Sequence, residues 1–133
     1  MARGAGPYKI LVGVRVLIVD DDREARDLLD AVLAYCGALT TQVTSTRDAL
    51  AALDRLVPDV IVAAVGMAAA DGYRLVGALH ARPQRGAHVP VVALTRGDDD
   101  PGRVLAAGFN AHLPKPVDPW ELCRIVAGLV RKA

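Results

Sequence analysis

The 133-residue chain predicts a single α/β domain, a parallel sheet of five strands with helices on both faces. Three observations carry that reading. The apolar runs at 14–19, 59–65 and 89–95 show no polar alternation, which marks strands buried on both faces. Segments of helical periodicity alternate with these runs, and such alternation requires right-handed crossovers between parallel strands. The first run ends abruptly in Asp20, Asp21 and Asp22, at the carboxyl rim where open α/β sheets place their ligands.

Each element has a local cause. Residues 1–13 read as a tail or linker, broken by Gly4, Gly6, Pro7 and Gly13, and residues 14–133 as the domain. After the first strand, Asp22 caps a helix whose apolar positions are Leu28, Leu29, Val32 and Leu33, with Gly37 past its end. Residues 40–44 have strand composition. A second amphipathic helix covers 47–57 through Leu50, Leu53 and Leu56, and Pro58 stops it. The second central strand is followed by a loop at 66–72 and a third helix carrying Leu75, Val76 and Leu79. Pro90 lies near the start of the fourth strand, where a missing donor matters least. Asp98, Asp99, Asp100 and Pro101 open a short helix ending at Gly108. Residues 110–113 form a brief strand. Asp118 and Pro119 begin the last helix, with Leu122, Ile125, Val126 and Leu129 on its apolar face.

No Gly-rich fingerprint follows the first strand, which argues against a dinucleotide-binding sheet. The flavodoxin-like (βα)5 doubly wound order, 2-1-3-4-5, fits better. It makes the first and third strands neighbours, so Asp20 and Asp21 face the end of the 60–65 strand, and it brings Thr95 and Lys115 to the same crevice. Clustered carboxylates repel by about 1 kcal/mol in water and by more near a protein interior, so a cation must sit among them. Lys115 paired with Asp20 or Asp21 meets that need without a metal. A hard cation such as Mg²⁺, which takes oxygens and keeps waters, meets it too.

Composition narrows the function. Hydrophobic residues make up 53% and net charge is +1 with scattered Lys and Arg, so there is no footprint for nucleic acid or an anionic membrane. No signal peptide and no run of transmembrane length is evident, and the expectation is a cytoplasmic protein. Cys36 and Cys123 have no metal-ligand or redox spacing and read as buried, reduced thiols. His80 and His88 carry no ligand spacing, and Asp71 belongs to a tight turn before Gly72.

From about Val14 to Lys132 the chain resembles the receiver domain of bacterial response regulators and hybrid histidine kinases. The resemblance rests on Val-Asp-Asp-Asp at 19–22, Pro-Asp-Val-Ile-Val at 58–62, Met67 with Asp71-Gly72-Tyr73, Ala-Leu-Thr at 93–95, and Ala-Ala-Gly-Phe with Leu-Pro-Lys-Pro-Val within 106–117. It implies that Asp20 and Asp21, with the Gly66 carbonyl, correspond to the Mg²⁺ ligands. Thr95 corresponds to the hydroxyl that reports phosphorylation, and Lys115 to the lysine that contacts the phosphoryl group. Pro116 matches the cis-proline, and His112 stands at the aromatic switch position.

The position that corresponds to the phosphoacceptor aspartate is Ala64, and a methyl group cannot form an acyl phosphate. Ala68 and Arg96 also depart from the family's pattern, so the rim resembles a naturally degenerate site rather than a single knock-out. The expectation is a pseudo-receiver and not an enzyme, holding Mg²⁺ weakly or not at all. It acts by protein contact with a histidine kinase or downstream effector, or with its own copy, through the surface from Pro101 to Lys132. Trp120 reads either as an anchor there or as internal packing. Two alternatives stand beside this. One is a conventional receiver with an introduced Asp-to-Ala substitution at 64. The other is a haloacid-dehalogenase-like phosphatase using Asp20, which Glu24 and the lack of a cap domain disfavour.

Overall fold

The computed structural model describes residues 9–65, 72–82, 89–96 and 100–132. Strands and helices alternate as β1 (Arg15–Val19), α1 (Arg23–Tyr35), β2 (Leu39–Val43), α2 (Thr46–Leu53), β3 (Val60–Ala64), α3 (Gly72–Ala81), β4 (Val91–Thr95), α4 (Pro101–Ala106), β5 (Ala111–Pro114) and α5 (Pro119–Lys132). The strands form one parallel sheet in the order β2-β1-β3-β4-β5, the flavodoxin-like order. Every residue of β3 and β4 is buried, as their unbroken apolar runs require. At the edge, β2 is mostly half-buried or exposed, and its Leu39 faces solvent.

Strand alternation divides the core in two. Leu17, Val19, Ile61, Ala63, Val91 and Ala93 pack under α2, α3 and α4. Val16, Ile18, Val60, Val62, Val92 and Leu94 pack under α1 and α5. This arrangement carries α1 and α5, the first and last helices, onto one face of the sheet.

Asp22 caps α1 as expected, its side chain accepting from the Glu24 amide at 3.1 Å. Ser45 and Asp100 cap α2 and α4 in the same way. Three expectations are corrected. The tail does not run to residue 13: Leu11 is fully buried in the α1–α5 core, and its amide donates to the Cys36 carbonyl at 2.9 Å. That docking places Val12 against Gly37, which ends α1 at φ +101°, a backbone and a space that only glycine fits. Leu28 is exposed, because the buried stripe of α1 is Leu29 and Leu33. Finally, α2 stops at Leu53 rather than 57. Pro58 excludes the helical conformation at Val57, and the amides of Arg55 and Leu56 close a last turn onto Ala52. Gly66, Met67, Ala68, Asp71, His88, Asp98 and Asp99 lie outside the described residues.

Candidate functional site

The site begins with the end of β1. Because that strand is buried on both faces, its continuation delivers the Asp20 side chain into the protein with only 2% of its surface exposed. A buried carboxylate needs a partner for each oxygen. Oδ2 accepts from the Lys115 ammonium at 2.8 Å, and Oδ1 accepts from the Asp22 amide at 3.0 Å. Arg26, one turn into α1, donates to the Asp20 carbonyl at 2.9 Å and to Gln42 Oε1 at 3.3 Å. Asp21 and Asp22 are exposed, so of the three acids only Asp20 is desolvated.

Lys115 is placed by the opposite edge of the sheet. Its amide donates to the Thr95 carbonyl at 2.8 Å, extending the β4–β5 ladder, and the Lys115–Pro116 bond is cis. Ala64 ends β3 opposite Leu94, with 3% of its surface exposed. These residues bound a crevice of about 170 Å³ lined by Asp20, Asp21, Asp22, Ala64, Val65, Leu94, Arg96 and Lys115. The position at the centre of its β3 wall is a methyl group.

The structure brings together Asp20, Asp21, Ala64 and Lys115 as expected, but not Thr95. The Thr95 hydroxyl is buried and donates across to the Leu113 carbonyl at 3.3 Å, so it serves the sheet and does not line the crevice. Arg96, the next residue, forms that wall instead. His112 is half-buried in β5 opposite Ala93. Ala111 and Leu113 pack in the α1–α5 core, so alternation points His112 to the other face. Trp120 is neither fully buried nor turned towards α4. It is 47% exposed and meets Tyr35 of α1 edge-on, ring centroids 6.2 Å apart, where the two rings flank a groove with Ala31, Val32 and Pro119. The metal-ligand role of the Gly66 carbonyl falls outside the described residues.

Two partnerships escaped the sequence reading. Arg26 had a weak signal in its position one helical turn after the Asp22 cap. Cys36 and Cys123 had none in their spacing, yet their sulfurs lie 2.8 Å apart in the α1–α5 core. Burial and the neighbouring thiol push Cys123 up to about 12.

Comparison with known proteins agrees with this geometry. Residues 16–127 match the family described as the response regulator receiver domain. The chain belongs to that family. It is 40% identical over 118 residues to an uncharacterized 14.6 kDa protein in the sodA1 3′ region of Leptolyngbya boryana, covering 87% of this chain and 89% of that one. It is 32% identical to the transcriptional regulatory protein GltR of Pseudomonas aeruginosa, covering 91% of this chain but 50% of GltR, so it spans about half the length of that regulator. Among solved structures, the signal receiver domain of a histidine kinase from Syntrophus aciditrophicus superposes with a TM-score of 0.83 at 29% identity, covering 91% and 92% of the two chains. The receiver domain of the sensor histidine kinase PA1611 from Pseudomonas aeruginosa, with magnesium coordinated in its active-site cleft, gives 0.81 at 29% identity over 90% and 99%. The chain is therefore a receiver domain of two-component signalling.

Proposed function

We propose that this receiver has lost phosphoryl chemistry and works as a phosphorylation-independent interaction module, binding partners rather than catalysing a reaction. The observation that carries the reading is Ala64, a buried methyl group at the end of β3, beside a crevice whose lysine is already paired with Asp20. An acyl phosphate needs a carboxylate in reach of the crevice cations, and β3 supplies none there. Asp20 is an unfavourable substitute nucleophile, since Lys115 and the Asp22 amide occupy its two oxygens.

The donor set does not fit a tightly held Mg²⁺. Such an ion wants one or two free carboxylates plus further oxygens in near-octahedral array. Here Asp20 is engaged, Asp21 alone is free towards solvent, and position 64 has no oxygen. Among the described residues no group of three or more His, Cys, Asp or Glu side chains is arranged to hold a metal. Lys115 takes the role of the cation.

The partner is a histidine kinase, a downstream effector or a second copy of the chain, in the cytoplasm. The surface from Pro101 to Lys132 remains the docking candidate, and no described helix is long and apolar enough to cross a membrane. Intact mass after incubation with Mg²⁺ and acetyl phosphate, run beside Ala64→Asp, tests the proposal. An unmodified native chain beside a phosphorylated Ala64→Asp variant is the expected result. A phosphoryl adduct on the native chain overturns it, and mapping that adduct to Asp20 would revive a phosphatase-like reading.

A further inference from the structure

The core between α1 and α5 holds a feature that the crevice does not use. Cys36 closes the C-terminal end of α1, where its amide donates to the Val32 and Leu33 carbonyls. Cys123 lies in the second turn of α5, one turn after Trp120. The two residues are 87 positions apart, both are fully buried, and both are free thiols. Their sulfurs at 2.8 Å are already in contact, against about 2.05 Å for a covalent S–S bond. Cys36 is also held from behind, since its carbonyl accepts from the Leu11 amide, and Val12 fills the space where a side chain on Gly37 would stand. Backbone on both sides of the pair is thus fixed with the sulfurs facing each other.

We propose that Cys36 and Cys123 form a redox modification site, a pair that a hydroperoxide converts to an intramolecular disulfide joining α1 to α5. One sulfur attacks the peroxide, breaking the O–O bond to give a sulfenic acid and water. The second sulfur then attacks that sulfenic sulfur, breaking its S–O bond and releasing a second water. The two thiols together lose two electrons and two protons, and hydrogen peroxide becomes two waters. Juxtaposition favours the second step over further oxidation, because the resolving thiol is already in contact.

The bond would strap the first helix to the last, closing a loop that contains most of the domain. Constraint of so long a loop acts mainly on the unfolded chain and raises thermal stability. It would also fix the separation of Tyr35 and Trp120, which sit beside the two cysteines and flank the groove of about 330 Å³ between the helices.

The test uses the full folded chain and hydrogen peroxide, followed by acid quench, alkylation in denaturant and intact mass. Expected is a loss of about 2 Da with no alkylation, a linked peptide carrying Cys36 and Cys123, and reversal by dithiothreitol. The melting temperature should rise by roughly 10 °C in the oxidised form. Cys36→Ala and Cys123→Ala should each abolish the 2 Da loss. The native chain decides the matter even if those variants fold poorly. Two alkylatable thiols after overnight exposure, stable sulfinic acid, or disulfides only between chains would overturn the proposal.

Discussion

Lys115 Nζ lies 2.8 Å from Asp20 Oδ2, joining residues 95 positions apart and holding together the two strand ends that flank the crevice. The Asp20 side chain is 2% exposed and that of Lys115 34%, so the carboxylate is the desolvated member. Removing the lysine leaves a buried charge without its cation, whereas removing both leaves only a polar amide to satisfy. Lys115→Met should cost about 2 kcal/mol, discounted from the range for fully buried pairs because the ammonium is partly solvated. Asp20→Asn in the Lys115→Met background should recover more than half of that loss. Urea unfolding of the native chain, both single variants and the double variant completes the cycle; additive losses would show that the pair contributes nothing.

Metal binding follows from the same contact. An ion competing for Asp20 must displace Lys115, and β3 offers no oxygen at position 64. Amide shifts or Trp120 fluorescence should show no saturation below about 1 mM Mg²⁺, and Ala64→Asp should tighten binding by about tenfold or more. Saturation of the native chain at low micromolar metal would contradict the paired-lysine account.

Trp120 and Leu122 separate an interface from a core. Leu122 is fully buried in the α1–α5 layer, and Leu122→Ala should cost 2–5 kcal/mol, as roughly expected for a core leucine. Trp120 is half-exposed with one edge-on ring contact, so Trp120→Ala should cost only about 1 kcal/mol. If the groove beside Tyr35 is a docking site, the same variant should lose affinity out of proportion to its stability loss. Denaturant midpoints for both variants, beside sedimentation of the native chain, check this.

Strand order, the Asp22 cap and the pairing of Lys115 with Asp20 or Asp21 were legible in the sequence, each from a local pattern or from topology that unbroken apolar runs imply. The cis bond before Pro116 came from the family resemblance, and the structure settles the lysine on Asp20. Thr95 was placed in the crevice, and Trp120 was left between anchor and internal packing, for a common reason: the sequence puts a side chain at a strand end or helix start, while its neighbours decide where it turns. Thr95 found a carbonyl on β5, and Trp120 found Tyr35 on α1. Leu11 was lost among the glycines and proline of the N-terminal segment, although its amide pairs with Cys36. The cysteine pair was invisible in spacing alone. Only the placing of α1 and α5 on one face makes those residues neighbours.

The thiol pair also sets a dependence on pH. Cys123 is raised to about 12 by burial first, then by the adjacent Cys36, while in the unfolded chain it returns to its ordinary 9.0. Below pH 9 both states hold the proton, so this stabilising difference is fully present and independent of pH. Between about 9 and 12 the unfolded chain releases the proton and the folded chain keeps it, so stability falls as pH rises. Other groups titrate in that range, and comparison with Cys123→Ala isolates the thiol. Urea unfolding under reducing conditions from pH 8 to about 10.5 should show the native chain losing stability more steeply than the variant. In the same window, iodoacetamide should label Cys123 more slowly in the folded chain than in urea, because the thiolate is the nucleophile and burial keeps the folded thiol protonated. Parallel pH profiles for the two proteins, or rapid labelling of the folded chain, would mean that the α1–α5 core does not keep the thiol from water.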